Sequence, residues 1–384
     1  MRVRDIRLTT TDRTIELSGA VNDYRLWFRF PGDFVVQPRA DAFLAVALLP
    51  AMMAGEPLEI DSNHPVSPKL LEGIQQLQEI YHCWNPALKK VAISASASPA
   101  TVANRGIASF FSGGVDGTYT ALKHAEITHV ILINGFDFFL DASAFSQAVD
   151  RNTIFAARLG KTLVPVETNY IQFNQACGPS RNISFGSCLG SIALALAFHR
   201  NYVPSAFDYR TLHPDGAHPL TDPLFSSEAT QIVHDGCEAS RAEKTAKIFE
   251  HQAVAQNLRV CWADMNRNCG RCNKCLRTRV ALRALGMSGE AFEDLRSLDD
   301  LRKWYLTGPR EQDFLLEKLR LAERRGDREM AGILRGFVRR NDLKRLAVEA
   351  DRLFLGGVLK RIKHLFVKPE RLRVGPFPDP NYPA

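Results

Sequence analysis

The chain has no apolar run long enough to cross a bilayer: the longest, Phe43 to Gly55, is interrupted by Pro50. Its opening, MRVRDIRLTTTDRT, has no apolar stretch of signal-peptide type, so a cytoplasmic protein with no membrane span is expected. It shows no internal repeat and no low-complexity tract. With 45% hydrophobic and 24% charged residues over 384 positions, it reads as a soluble globular protein of two or three domains.

Cysteine is sparse and uneven. Cys83, Cys177, Cys188 and Cys237 are scattered, whereas Cys261, Cys269, Cys272 and Cys275 crowd into fifteen residues. In a reducing compartment such clustering points to a metal, not to disulfides. Charge is uneven too. Of the net +7, residues 301–384 hold 20 Lys and Arg against 11 Asp and Glu, so the basic character belongs to the C-terminal region.

Three regions are predicted. Residues 1–100 alternate polar and apolar through DRTIELSGAVNDYRLWFRF, with a turn near Asn22 and Asp23. They continue into a helix through Phe43 to Met53 and a second one with Ser67 as N-cap, Pro68 at its first position, and a stripe of Leu70, Ile74, Leu77 and Tyr81. This is a small α+β domain. Residues 101–287 alternate short β-rich runs (IASFF, HVILIN, TLVPVE, NYVPSA) with helices from about Gly117, about Ala144 to Leu159 and about Phe185 to His199. That rhythm makes the fold class α/β, a doubly wound parallel sheet. Residues 288–384 read as a charged helical appendage with a Pro-rich end.

The loop SGGVDG follows the first apolar strand of the sheet and opens a helix, where unpaired backbone N–H groups favour an anion. Gly113 and Gly114 let the backbone approach without a Cβ, and Ser112, Thr118 and Thr120 add hydroxyls. The loop has neither the lysine of G-x-x-x-x-G-K-[ST] nor the spacing of G-x-G-x-x-G.

The cysteines read C-x7-C-x2-C-x2-C, four thiolates that can enclose a tetrahedral Zn²⁺ with no open position; an iron–sulfur cluster could use the same set. Nearby Arg267, Arg271, Lys274, Arg277 and Arg279 would favour thiolates.

S-G-G-x-D after a first strand resembles the signature of the PP-loop ATP pyrophosphatases. Together with the four-cysteine segment and GPSRNISF, whose Pro179, Arg181 and Asn182 match a P-x-R-N segment, the chain resembles the 7-cyano-7-deazaguanine synthases of queuosine biosynthesis. The likeness covers about Ile107 to Gly286. It departs at Gly117, where the family normally has Ser or Thr.

The resemblance implies an adenine nucleotide alpha hydrolase-like fold, with ATP, Mg²⁺ and Zn²⁺ as cofactors and Cys261, Cys269, Cys272 and Cys275 as the zinc ligands. Ser112, Gly113, Gly114, Val115, Asp116, Gly117 and Thr118 would hold the phosphates, and Ile133, Asn134 and Gly135 the adenine. Asp137 would hold Mg²⁺ or a substrate amine. Ser112, Asp116, Arg181 and Lys244 are the catalytic candidates, with Lys244 neutralising the phosphates. Lys244 follows a predicted capping box, Ser240 with Glu243.

The implied reaction is adenylation of a carboxylate with release of pyrophosphate, then amide or nitrile formation with ammonia or an amine. The carboxylate belongs to a small molecule or a protein, which residues 1–100 would help to present. Two alternatives stand: sulfur transfer to tRNA through a persulfide on Cys177 or Cys188, and a non-catalytic ATP-binding zinc scaffold. A basic amphipathic helix around Leu359, Ile362, Leu365 and Phe366 is a candidate nucleic-acid surface.

The segment from His213 to Asp235, with His218, His234, Asp215 and Asp222, is expected to form solvated turns. GSCLGS, Gly186 to Ser191, is expected to permit close helix packing against the sheet.

Overall fold

The computed structural model describes residues 1–135, 142–261, 263–264, 267–293, 295, 301 and 309–354. Asp137 and the segment around Leu359 lie outside the described residues. The chain forms two compact units, Met1–Ala239 and Ser240–Ala384.

The first unit begins with an antiparallel meander of β1 (Arg2–Thr10), β2 (Thr14–Val21) and β3 (Tyr24–Pro31). Val21 pairs with Tyr24 across a two-residue turn, in which Asn22 takes a positive φ of 50°. Alternation in β3 buries Leu26, Phe28 and Phe30. Helix α1 (Asp41–Ala54) is buried over most of its length and stops at Gly55 in the left-handed region. Strand β4 (Leu58–Ile60) follows, parallel to β1. The Ser67 hydroxyl accepts from Leu70 N at 3.0 Å to start α2 (Pro68–Trp84), and the predicted Leu70, Ile74, Leu77 and Tyr81 stripe is buried. Strand β5 (Ile93–Ser94) ends this stretch.

The alternating region then supplies β6 (Asn104–Phe110), α3 (Val115–Lys123), β7 (His129–Asn134), α4 (Ala142–Arg158) and β8 (Thr162–Thr168). It continues with α5 (Tyr170–Cys177), α6 (Arg181–Leu196), β9 (Phe198–Pro204) and β10 (Gln231–Asp235). Strands β10, β9, β6, β7 and β8 are neighbours in that order and all parallel. The first of them in sequence therefore lies in the middle. The chain builds outward on one side, then returns to build on the other, and the order reverses between β6 and β9. That is the doubly wound arrangement.

The first hundred residues do not make a separate sheet. Strand β3 pairs antiparallel with β8 through Phe28 with Thr168 and Arg29 with Glu167, and the described sheet runs on through β3, β2, β1, β4 and β5 to ten strands. Side chains complete the join where the ladder ends: Asn169 Oδ1 accepts from Trp27 N at 2.9 Å, and Thr168 Oγ1 donates to Trp27 O at 2.8 Å.

Helix α6 starts four residues before its predicted position and ends three before its predicted end. The Ser180 hydroxyl accepts from Asn182 N at 3.3 Å and begins it early; Ala197, in the left-handed region at φ 45°, ends it and frees Phe198 and His199 for β9.

The second unit is helical: α7 (Arg241–Ile248), α8 (Gln252–Asn257), α9 (Asn273–Leu285), α10 (Pro309–Arg325) and α11 (Arg328–Phe354). Leu276, Val280 and Ala284 of α9 share one core with Leu315 and Leu319 of α10 and Met330 and Leu334 of α11. The helix that carries Cys275 is thus built into the same core as the C-terminal helices. The arginine of Arg283 adds a 2.8 Å pair to Asp327.

Candidate functional site

The glycine loop lies at the carboxyl end of β6, beside the point where the strand order reverses. Phe111 N donates to Ile131 O at 2.8 Å and fixes the loop's start to β7. Ser112 is exposed. Gly113 turns the chain at φ 76°, and a Cβ there would stand 2.5 Å from Asn152 Oδ1 of α4. Gly114 occupies the N-cap of α3 and gives its first turn no side-chain cap, so the backbone N–H groups at that end have no competing side-chain acceptor at the cap.

Val115 packs into the core, and Asp116 is half-buried in the first turn. A Cβ on Gly117 would come to 3.0 Å from Phe110 O and 3.2 Å from Phe111 Cα. A side chain here would ask the β6–α3 corner to give slightly. Thr118 is fully buried, and its hydroxyl has no hydrogen-bond partner among the described residues.

Helix α3 is held at its far end. Asp235, last in β10, accepts from Thr120 Oγ1 at 2.8 Å and Lys123 Nζ at 2.8 Å, and stands 2.9 Å from His124 Nε2. Burial works against the Asp235 carboxylate, but these three partners outweigh it and hold the carboxyl below its usual range.

At the tip of β7, Ile133 and Asn134 are buried and Gly135 has φ 89°. Asn134 Nδ2 donates to Glu167 Oε2 of β8 at 2.9 Å, which joins the two strand ends. Arg181 and Asn182 sit in the first turn of α6, half-buried. Because α6 precedes β9 and the strands are parallel, that turn lies at the carboxyl end of the sheet, the end that carries the glycine loop. Pro179 O accepts from Asn174 Nδ2 at 2.9 Å and shapes the approach to it.

GSCLGS does serve close packing, against a loop and not the sheet. A Cβ on Gly186 would run into Gly216 O, and one on Gly190 would stand 2.8 Å from Phe225. Cys188 is fully buried on this helix, and burial pushes its thiol up; Cys177 is half-buried and pushed up to about 11.

The expected solvated turns before β10 are instead buried. Asp215, His218, Asp222 and Asp235 are all closed off from solvent, and so is the side chain of His234. Asp222 Oδ2 stands 2.7 Å from His234 Nδ1, and its other oxygen accepts from His218 N at 3.2 Å. Burial pushes the Asp222 carboxyl up. Burial also opposes charge on His234, but Asp222 and the neighbouring Cys237 outweigh it and push the imidazole up to about 9. Burial, with His234 and His213 nearby, takes His218 down to about 4. No sequence signal short of long-range packing distinguishes these residues from a polar loop.

In the second unit the predicted capping box is present. Ser240 Oγ accepts from Glu243 N at 3.3 Å, and Glu243 Oε2 accepts from Ser240 N at 2.7 Å. Lys244 follows, buried along with its α7 neighbours Ala242 and Thr245. The four sulfurs of Cys261, Cys269, Cys272 and Cys275 all lie within 4.8 Å of one another, and no other such group occurs among the described residues.

The spacing separates a single ion from a multi-iron cluster. Tetrahedral Zn–S bonds of about 2.3 Å put neighbouring sulfurs about 3.8 Å apart, which is the 3.8 Å found between Cys261 Sγ and Cys272 Sγ. A multi-iron cluster would spread its thiolates over several irons, so the set fits a single ion such as zinc.

Backbone amides already point at the sulfurs. Asp264 N donates to Cys261 Sγ at 3.3 Å and Cys272 N to Cys269 Sγ at 3.3 Å, an arrangement suited to thiolates. Gly270, at φ 71°, makes the turn between the second and third cysteines, and Arg279 clamps it by donating to Gly270 O at 2.9 Å. Cys272 is the N-cap of α9, which puts Cys275 in the helix's first turn. Asn268 ties the ends of the loop through 2.9 Å bonds to Val260 N, Leu258 O and Ala291 O.

No family model, curated protein or solved structure matches this chain.

Proposed function

We propose that the chain is an ATP-dependent ligase of the PP-loop ATP pyrophosphatase kind. It adenylates a carboxylate with release of pyrophosphate, then passes the acyl group to ammonia or another amine, as the resemblance to 7-cyano-7-deazaguanine synthases implies. The observation that carries this reading is the SGGVDG loop, which runs from the carboxyl end of β6 into an α3 with no side-chain N-cap, beside the strand-order reversal.

In this reading the amides around Gly113, Gly114 and Val115 receive the phosphates, with Ser112 adding a hydroxyl from the exposed side. Mg²⁺, held with help from Asp116, supplies charge neutralisation on those phosphates when bound. The backbone at Ile133 to Gly135 takes the adenine edge. Arg181, in the same end of the sheet, suits the carboxylate to be activated. The zinc site orders its own loop and stays out of the chemistry, because four thiolates leave no open position.

Gly117 does not speak for lost chemistry. A Cβ there would press on the β6–α3 corner at 3.0 Å from Phe110 O, so the glycine has a packing reading beside the loss of a hydroxyl. The sulfur-transfer alternative is disfavoured because Cys177 and Cys188, whose thiols burial pushes up, are poor persulfide carriers.

The test is product analysis by mass spectrometry after incubation with ATP, Mg²⁺, ammonium and 7-carboxy-7-deazaguanine, with Asp116→Ala as control. AMP and a deazaguanine amide or nitrile, absent from the control, are expected. AMP without a deazaguanine product would move the substrate to another carboxylate, and no ATP cleavage would sink the reading.

A further inference from the structure

The α10–α11 hairpin carries a charged face that the ligase reading leaves without a task. The chain reverses at Gly326, φ 77°, and Asp327 Oδ1 accepts from Met330 N at 3.1 Å to start α11. Leu315, Leu319 and Ala322 of α10 share a core with Met330, Ala331 and Leu334 of α11, so the other sides of both helices face solvent. On that side α10 presents Arg320 and Arg324, one turn apart, and α11 presents Arg328, Arg335 and Arg339, which fall on one helical stripe. Arg335 Nη2 pairs with Glu323 of α10 at 2.6 Å and ties the two exposed faces side by side. Glu329, the other exposed carboxylate of the hairpin among the described residues, pairs with Arg283 at 3.1 Å. Arg320, Arg324, Arg328 and Arg339 are exposed and have no carboxylate partner among the described residues.

Gly332 and Gly336 lie between these arginines on the same stripe. Glycine is a poor residue for a helix interior, and neither position serves packing within the chain, because a Cβ on either would meet nothing within 4 Å. Gly113 and Gly190, by contrast, each have a neighbour that a Cβ would strike. The pair leaves a strip of bare helix backbone, about 6 Å long, flanked by guanidinium groups.

We propose that this face of the hairpin docks the sugar–phosphate backbone of a nucleic-acid duplex, with Arg320, Arg324, Arg328 and Arg339 on phosphates and Gly332 and Gly336 as the floor that lets the backbone come close. The surface lies wholly within the second unit and needs nothing from the ATP site. Its charge is the complement of a phosphate backbone, and it is built of arginine alone: Lys318, the one lysine between Pro309 and Leu343, is buried. A planar guanidinium matches a phosphate with two parallel hydrogen bonds, which an ammonium does not. Arg328 and Arg339 are about 16 Å apart along the helix, room for about five phosphates of one strand at about 3.4 Å each. An anionic membrane surface asks instead for bulky apolar side chains among the basic ones. Here glycines hold those places, and the exposed Leu343 and Leu346 come only after Arg339. Contacts of this kind are to phosphate and do not depend on base sequence.

Fluorescence anisotropy of the full chain with a labelled RNA duplex, and with a DNA duplex of the same sequence, tests this. With those four arginines each on a phosphate, the logarithm of affinity should fall against the logarithm of salt with a slope of about −3.6, so a rise from about 50 to about 200 mM should weaken binding about 100-fold. Arg328→Gln combined with Arg339→Gln should halve that slope and leave the urea midpoint unchanged, since both side chains are exposed. Gly332→Leu combined with Gly336→Leu should fold as the wild type does, because both sites are open, and should lose duplex affinity. A slope that the arginine pair does not change, duplex binding indifferent to the added leucines, or binding to phosphatidylserine vesicles with none to either duplex would each overturn the proposal.

Discussion

Asp222 and His234 form a buried pair at 2.7 Å, each side chain 2% exposed, beside Tyr81 and with His218 N donating to Asp222. Such a pair tolerates no loss of one member, because the other is then left charged and unpartnered in a dry site. His234→Gln and Asp222→Asn should each cost about 3 kcal/mol at neutral pH. Urea midpoints compared with the wild type would check this.

The same pair fixes a direction in pH. His234 titrates at about 9 in the fold, above the usual value of about 6.5. Its contribution is then fully present below about 6.5 and is lost as pH rises through about 9. The wild type should therefore lose more stability than His234→Gln between about pH 7 and about pH 10. Parallel midpoints for the two chains would rule out a protonated His234.

Asp222 and His234 also show where reading the sequence stops. HPDGAHPLTDPL looks like solvent-facing turn chemistry because Pro, Gly and Asp are there for the chain's bends, and what buries it is contact with α6 at Gly186 and with α2 at Gly73 and Trp84. The glycine loop and the C-x7-C-x2-C-x2-C spacing were legible because local backbone needs and ligand reach are short-range properties. The β3–β8 join was not, since it rests on pairs such as Trp27 N with Asn169 Oδ1, 142 residues apart. Antiparallel alternation in the first hundred residues says that strands exist, and not which sheet they enter.

The cysteine loop gives a prediction about metal. A structural zinc contributes on the order of 10 kcal/mol, comparable with the whole stability of a typical domain, about 5–15 kcal/mol. Cys272→Ser should drop the zinc content from one per chain to near zero. It should also strip hydrogen-exchange protection from the Asp264, Cys269 and Cys272 amides that donate to sulfur. Retained protection without metal would show that Arg279 and Asn268 suffice to hold the loop.

Gly117→Ser would restore the hydroxyl that the PP-loop signature normally carries, and here it should harm. A residue with a Cβ gains up to about 1 kcal/mol over glycine in a helix. The new atom, however, meets Phe110 O at 3.0 Å and Phe111 Cα at 3.2 Å, both of a buried strand end. Overpacking against backbone costs about 1–3 kcal/mol, so a net loss of about 1 kcal/mol is expected in denaturation experiments. A stabilised variant would mean that the corner yields.

Gly113 carries two separate demands, and a pair of variants can divide them. Its φ of 76° costs a residue with a Cβ about 1–2 kcal/mol, and the Cβ would in addition stand 2.5 Å from Asn152 Oδ1. Asn152 is itself buried, with Nδ2 donating to Ala148 O at 2.8 Å. Gly113→Ala should lower stability and, because the loop must shift to accommodate the methyl group, weaken ATP binding measured by calorimetry. Adding Asn152→Ala removes the collision and leaves the dihedral cost. Stability in the double variant should then exceed the sum of the two single losses by about 1 kcal/mol, the size of coupling expected for touching residues. ATP affinity should recover in parallel only if the loop's position, and not its dihedral alone, sets phosphate binding. Full additivity of the two losses would instead place the whole penalty in the backbone.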